Sequence, residues 1–239
     1  MGSLALWAML ACSTNASVAP RDSATPRRVL FIGNSLTSAN DLPGLVESMS
    51  ASVGAPLRCE KVTFGGFSLE DHWNEGTARR AIAKGGWSTV LLQQGPSALP
   101  ESRVSLVEYT RRFDAEIRRI GARTALFMVW PPSARRSDFD GVRASYQEAA
   151  RAVGGLFLPA GEAWREAWRI DARLALYGPD GFHPTLAGSA LAALIIVRQL
   201  TGRFVDHLPA TIPDPEATIL KRAADQTAAR FIPSPRPRP

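Results

Sequence analysis

Short apolar segments alternate five times with longer helical segments along this chain, and this alternation limits the folds it can adopt. The apolar segments are rich in β-branched and aromatic residues, which is typical of buried strands, and we predict strands at 28–32, 57–64, 87–93, 125–129 and 155–159. Parallel strands need a long crossover between them, usually a helix. The alternation therefore predicts an α/β protein, a three-layer α/β/α sandwich around a central, mostly five-stranded parallel sheet.

The distribution of linker-like residues predicts one folded domain with an extension at each end. The chain has 239 residues, of which 45% are hydrophobic and 21% charged, which is enough apolar material for a sizeable core. Pro/Ser/Thr-rich and Pro/Arg-rich segments occur only near the two termini. We assign residues 1–26 to an export leader and linker, 27–225 to the domain and 226–239 to a C-terminal tail.

The N-terminal segment resembles an export signal. An apolar run from Leu4 to Ala11 ends at Cys12 and is too short to span a bilayer. It resembles the apolar core of a secretory signal, and residues 9–12 resemble a bacterial lipoprotein box. We expect a bacterial protein that is periplasmic, extracellular or attached to the membrane through lipidated Cys12. Because no lysine or arginine precedes the run, a cytoplasmic protein with an irregular N-terminus is the alternative.

The charges and the cysteines argue against several other classes of protein. The formal net charge is +6, but the arginines are scattered and are not interleaved with aromatic residues as in a nucleic-acid groove. The chain has two cysteines and lacks a cluster with metal-ligand spacing, since His72 and Glu75 have no second ligand group. It also lacks a phosphate loop and a dinucleotide-binding fingerprint. We therefore expect no nucleic-acid partner, no metal and no cofactor.

Residues that could carry chemistry follow the ends of the predicted strands. The first strand runs into a Gly-Asn-Ser turn at Ser35, the second into Gly65-Gly66, the third into Gln94 and the fourth into Trp130. The carboxyl ends of parallel strands meet at one edge of the sheet, where α/β proteins bind ligands. Read alone, Ser35 is either the N-cap of a helix or a nucleophile.

A second group of such residues precedes the long apolar helix predicted at 185–201. Asp180 stands three residues before His183 in an Asp-Gly-Phe-His-Pro segment. A serine needs a base, histidine suits neutral pH, and a carboxylate on its other nitrogen fixes the tautomer. An oxyanion would need donors, for which the N–H groups of Ser35 and Gly66 and the amide of Gln94 are candidates, with the neighbouring glycine as the alternative to Gly66.

These segments, in this order, resemble the SGNH (GDSL-type) hydrolases. The Gly-Asn-Ser-Leu block is similar to the one that holds the family's nucleophile, and Asp-x-x-His is similar to the late block that holds its base. The resemblance implies a flavodoxin-like SGNH hydrolase fold with a triad of Ser35, His183 and Asp180. The third block departs from the family's Gly-x-Asn-Asp. Some carbohydrate-esterase branches carry Gln-Gly there, which implies that Gln94 is the amide donor.

We expect a serine esterase that forms an acyl-enzyme. The short loops after the strands and the lack of an apolar lid favour short acyl groups, and the resemblance together with export favours O-acetyl groups on a small molecule or glycan. Asn34, His72, Trp73 and Trp130 are candidates for the substrate pocket. Two alternatives stay open: an acyltransferase, and a non-catalytic exported carbohydrate-binding protein on the same fold, with Trp73 and Trp130 stacking on sugars.

Overall fold

A computed structural model of the chain describes Gly2 and residues 26–231, and it has a single sheet of five parallel strands. The predicted leader and Cys12 lie outside the continuous described range. The strands are β1 Arg27–Gly33, β2 Leu57–Thr63, β3 Thr89–Leu92, β4 Arg123–Phe127 and β5 Leu156–Leu158. Their order across the sheet is β2-β1-β3-β4-β5.

The burial of each strand follows from its place in this order. β1 pairs with β2 on one side and β3 on the other, and its residues from Val29 to Ile32 are at most 1% exposed. This position explains the unbroken apolar run, because side chains on both faces of β1 are covered. β2 lies at the edge of the sheet, and of its residues only Leu57 is buried. The predicted α/β fold with a parallel five-stranded sheet is confirmed.

Helices cover both faces of the sheet. Within residues 26–231 the α-helices are α1 Ser35–Ser38, α2 Leu42–Ser52, α3 Leu69–Glu75, α4 Thr77–Ala83, α5 Pro100–Arg119, α6 Phe139–Ala152, α7 Ala160–Ile170, α8 Leu186–Thr201 and α9 Asp214–Phe231. Connections between parallel strands are right-handed, so the direction of each step across the sheet decides which face its helices cover. The step from β1 to β2 runs in one direction, and the later steps to β3, β4 and β5 run in the other. The helices of the first connection therefore lie on the opposite face from those of the later connections. Accordingly, α2 packs with α8 and α9 packs with α7 and α8, whereas neighbouring helices from α3 to α6 pack with one another.

The long helix α8 confirms the apolar pattern from which it was predicted. Every residue from Ala187 to Val197 is buried, which explains why the helix lacks a polar face over that range. Thr185 caps it, since its hydroxyl accepts the N–H of Gly188 at 3.2 Å. In residues 26–231, no helix is long and apolar enough to cross a membrane.

Three helical regions differ from what the sequence predicts. The residue pattern predicts one helix over 68–84, but the structure has two, α3 and α4, separated by Gly76, whose φ of +88° is a left-handed conformation suited to glycine. The pattern predicts only a helical turn over 163–168, whereas α7 runs from Ala160 to Ile170. α9 was not predicted, and its Thr227 and Ala228 are buried. The predicted start of a tail at 226 is therefore wrong, because the helix runs on to Phe231.

Candidate active site

The carboxyl edge of the sheet gathers the segments that follow β1, β2 and β3. A cleft of about 320 Å³ opens there, and four of the predicted site residues line it: Asn34, Ser35, Gly66 and Gln94. The remaining lining residues are Phe67, Ser68, Gly95, Pro96, Ser97, Ser102 and Phe182. Phe182 belongs to the loop between α7 and α8, so the cleft also reaches the segment that carries Asp180 and His183.

Ser35, His183 and Asp180 form a continuous hydrogen-bond chain. Oγ of Ser35 lies 2.8 Å from Nε2 of His183, and Nδ1 of His183 lies 2.5 Å from Oδ2 of Asp180. The carboxylate fixes the proton on Nδ1, which leaves Nε2 to accept the serine O–H. The fold thus joins two segments 148 residues apart into the arrangement of a nucleophile, a base and an orienting carboxylate.

Asp180 stays ionised in this arrangement. The hydrogen bond from His183 lowers the pKa of the Asp180 carboxyl to about 2, assisted by the backbone N–H groups of Phe182 and His183. Those two N–H groups donate to Oδ1 at 3.0 and 2.9 Å. Because one oxygen binds the backbone and the other binds the imidazole, Asp180 both shapes the turn and orients the ring.

Asn34 resolves whether Ser35 caps a helix. Oδ1 of Asn34 accepts the N–H of Leu36 at 3.1 Å, which makes Asn34 the N-cap of α1. Ser35 is the first residue of that helix, and its hydroxyl contacts His183 instead of a backbone N–H. Asn34 also lines the cleft as predicted.

The N–H groups of Ser35 and Gly66 are available as donors for an oxyanion. Both residues line the cleft, and within residues 26–231 neither N–H has a hydrogen-bond acceptor in the protein. Gly66 has a φ of +74°, with open space where a Cβ would lie, so the backbone conformation and not crowding favours glycine. Gly65 does not line the cleft, which favours Gly66 as the donor.

Gln94 lines the cleft with its amide already engaged. Nε2 donates to Oγ of Ser97 at 2.8 Å and to the carbonyl of Ser102 at 3.4 Å, and Oε1 accepts the N–H of Leu69 at 3.1 Å. The bond to Ser102 is long and weak. A role for Gln94 in binding an oxyanion requires this N–H to turn from Ser102 towards the substrate.

His72, Trp73 and Trp130 were predicted to line the substrate pocket, but they lie outside the cleft, so the prediction is wrong for these three residues. His72 is fully buried on the inner face of α3, where its Nε2 donates to the carbonyl of Gly33 at 2.8 Å. Trp73 packs edge-to-face on Phe113 of α5, with ring centroids 5.2 Å apart. Both side chains are thus taken up by packing.

Trp130 is likewise a core residue. Its ring is fully buried and stacks on Trp164 at a centroid distance of 3.6 Å. Its Nε1 donates to the carbonyl of Phe182 at 3.0 Å, the residue before His183. Trp130 therefore supports the loop that carries the imidazole without touching the cleft.

Site residues of two kinds were not predicted from the sequence. Phe67, Pro96 and Phe182 form apolar walls of the cleft. Phe67 and Pro96 follow the ends of β2 and β3, and Phe182 lies within the Asp-x-x-His segment. Gln93 lies beneath the cleft and is 1% exposed. No sequence signal separates Gln93 from its neighbour Gln94. In the described part of the chain, no group of three or more histidine, cysteine, aspartate or glutamate side chains is arranged to hold a metal.

Comparisons with solved structures support the same family as the residues. Neither a protein-family model nor a curated protein sequence matches the chain. A proposed SGNH hydrolase from Slackia heliotrinireducens is 25% identical, with a TM-score of 0.64 over 74% of this chain and 100% of that one. A DUF4886 family protein from Bacteroides uniformis is 18% identical, with a TM-score of 0.74 over 87% of this chain and 96% of that one.

A variant of an acetyl-xylooligosaccharide esterase from Geobacillus is 17% identical, with a TM-score of 0.56 over 76% of this chain and 97% of that one. The resemblance predicted from the sequence is confirmed, and the chain has the fold of the SGNH (GDSL-type) hydrolases. Its structural neighbours include hydrolases, one of them an esterase.

Proposed function

We propose that this protein is a serine ester hydrolase. The observation that carries the proposal is the hydrogen-bond chain from Ser35 through His183 to Asp180 at the edge of an open cleft. Base activation turns a weakly nucleophilic hydroxyl into one that attacks a carbonyl. A protein that only bound a ligand would have no need of this chain.

The proposed reaction has two steps with one proton carrier. Oγ of Ser35 attacks the ester carbonyl while Nε2 of His183 takes its proton, and the N–H groups of Ser35 and Gly66 bind the oxyanion. The bond to the alcohol then breaks, and His183 returns the proton to the leaving oxygen. Water attacks the acyl-serine with His183 again as base, which releases the acid and restores Ser35.

The lining of the cleft supports a short, uncharged acyl group as the substrate. Among the described residues that line the cleft there is no lysine, arginine, aspartate or glutamate, while Phe67, Pro96 and Phe182 provide apolar walls. The volume of about 320 Å³ is at the lower end of the range of about 300 to 1,000 Å³ for ligand pockets. An acetyl group fits these limits, and the acetyl-xylooligosaccharide esterase among the neighbours supports an acetylated glycan.

The two alternative functions, a sugar-binding protein and an acyltransferase, differ in how well they agree with the cleft. A sugar-binding protein would stack sugars on Trp73 and Trp130, but neither ring lines the cleft. Acyl transfer uses the same residues as hydrolysis and differs in the acceptor. The side chains of His183 and Asp180 are 43% and 51% exposed, so water has access to the site. Export and lipidation of Cys12 are proposals that rest on the N-terminal sequence.

The test is replacement of the nucleophile. Ser35→Ala should lower kcat for p-nitrophenyl acetate by at least about 10³-fold with an unchanged melting temperature, because the acyl-enzyme can no longer form. A fluorophosphonate should label the wild-type protein at Ser35. The matched control is Ser38→Ala in the same short helix, which should keep full activity. Wild-type turnover by Ser35→Ala, or labelling at another residue, would overturn the proposal.

A further inference from the structure

The side chain of Gln93 is the most completely hydrogen-bonded group beneath the candidate active site. Gln93 follows β3, is 1% exposed and does not line the cleft. Its Oε1 accepts the N–H of Asn34 at 2.9 Å and the hydroxyl of Thr37 at 2.7 Å. Its Nε2 donates to Oδ1 of Asn34 at 2.9 Å and to the carbonyl of Gln94 at 2.7 Å.

These four bonds fix the orientation of the amide. A backbone N–H can only donate, so the atom that faces the N–H of Asn34 must be the amide oxygen. Nε2 then faces two oxygen acceptors and uses both of its hydrogens. The fit is also sterically close, since a Cβ at Gly33 would lie 2.3 Å from Oε1 of Gln93. An apolar side chain here would leave buried polar groups without partners.

Through Asn34 the network reaches both proposed oxyanion donors. Oδ1 of Asn34, which accepts from Gln93, also accepts the N–H of Leu36 and thereby holds the helix that begins at Ser35. Nδ2 of Asn34 donates to the carbonyl of Phe67 at 3.1 Å, the residue after Gly66. The turn after β1 and the loop after β2 are thus tied to the end of β3 by two adjoining side chains.

We propose that Gln93 is a positioning residue that, through Asn34, holds the start of α1 at Ser35 and the loop at Gly66 in a fixed relative position. The proposal rests on the proposed function and adds a group that touches neither substrate nor nucleophile. Oxyanion stabilisation depends on donors held at fixed positions, and a shift of about 1 Å can cost about 10²-fold in rate. Gln93 therefore acts on kcat and leaves KM nearly unchanged.

The first variant is Gln93→Met, which keeps a similar volume and removes all four bonds. It should lower kcat for p-nitrophenyl acetate by about 10- to 100-fold, with KM within about twofold of the wild-type value. The rate of labelling by a fluorophosphonate should fall by a similar factor, because that reagent also needs an activated Ser35 and a bound oxyanion.

The second pair of variants tests a single bond and does not depend on whether Gln93→Met folds. Thr37→Val is nearly isosteric and removes only the hydroxyl that donates to Oε1 of Gln93, so it should lower kcat by about three- to tenfold. Thr37→Ser keeps the hydroxyl and should restore kcat to near the wild-type value. A general loss of packing would not be rescued by the smaller serine side chain.

The matched control is Thr124→Val at the opposite end of the sheet. It removes a buried hydrogen bond of 2.7 Å from Thr124 to Asp114, so it should lower the melting temperature without lowering kcat. If Thr37→Val and Thr37→Ser have equal kcat, or folded Gln93→Met keeps wild-type kcat, the positioning role is overturned while labelling at Ser35 still supports the hydrolase. A wild-type protein that neither hydrolyses esters nor is labelled overturns both.

Discussion

Asn34 shows how one side chain can decide the role of the next. Without it, the hydroxyl of Ser35 would be the natural cap for the helix that follows β1. Because the amide of Asn34 caps that helix and contacts Phe67 and Gln93, the hydroxyl of Ser35 is left to His183. Because Asn34 caps the helix, the hydroxyl of Ser35 does not have to do so and stays free to contact His183.

His72 carries a prediction about pH and stability. Burial lowers the pKa of His72 below its usual value, although the carbonyl of Gly33 and the charges of Glu75 and Asp71 act in the opposite direction. Its Nδ1 is buried without a hydrogen-bond partner in the described structure, so a proton there would have no acceptor. The unfolded chain, however, binds that proton below about pH 6.5.

The free energy of unfolding should therefore fall as the pH drops below about 6.5, and level off once the folded protein also binds the proton. His72→Gln keeps a donor for Gly33 and removes the titration. Urea unfolding at pH 7.5 and 5.0 should show a smaller loss of stability on acidification in His72→Gln than in the wild-type protein. Equal losses in the two proteins would contradict this account.

Candidate site residues could be chosen from the sequence where few residue types can perform the chemical role in question. Ser35, Asp180 and His183 could be chosen because a nucleophile, a base and an orienting carboxylate use few residue types. His72, Trp73 and Trp130 were misplaced because a sequence pattern does not say which side chain faces the cleft and which faces the core. Gln93 could not be found, since its role exists only through contacts with residues far away in the chain.

At the scale of elements, the loop that carries Asp180 and His183 depends on one glycine. Gly181 has a φ of +68°, and a Cβ there would lie 2.3 Å from Oγ of Ser133. The N–H of Ser133 also donates to the carbonyl of Gly181 at 2.8 Å. The turn between the carboxylate and the imidazole is therefore packed directly against the segment that follows β4.

Gly181→Ala should combine backbone strain with this collision and displace Asp180 from His183. We expect kcat to fall by at least about tenfold, as the imidazole loses its orientation. The matched control is Gly121→Ala between α5 and β4, where φ is +71° and the space for a Cβ is open. Its strain of about 1 kcal/mol should lower the melting temperature but not kcat. An equal kcat in the two variants would show that the loop tolerates the displacement.

The sheet shows which elements a sequence pattern can reveal. Buried strands were predicted from their apolar runs, and their parallel direction followed from the helices between them. The order β2-β1-β3-β4-β5 does not follow from the apolar pattern, because it depends on which strands pair across the sheet, and only the resemblance to a flavodoxin-like fold implied it. The break at Gly76 and the helix α9 were missed, since an isolated glycine and a mixed polar segment have several local conformations.

At the scale of the whole molecule, α9 closes one face of the sandwich. It packs on α7 and α8, and its inward side chains are mostly alanines with Leu220 and Thr227. Phe231 at its end lies edge-on to Phe157 of β5, with ring centroids 6.3 Å apart. The C-terminal helix thus connects the helical layer behind the site to the edge of the sheet.

This packing predicts where the chain can be shortened. A protein ending at Asp225 loses buried Thr227 and Ala228 and the contact of Phe231, which should cost about 2 kcal/mol and lower the melting temperature by about 4 to 8 °C. A protein ending at Phe231 keeps all of these contacts and is the matched control. Both should keep wild-type kcat at 25 °C, because no residue of α9 lines the cleft. Equal melting temperatures for the two proteins would mean that the last turns of α9 contribute nothing to the fold.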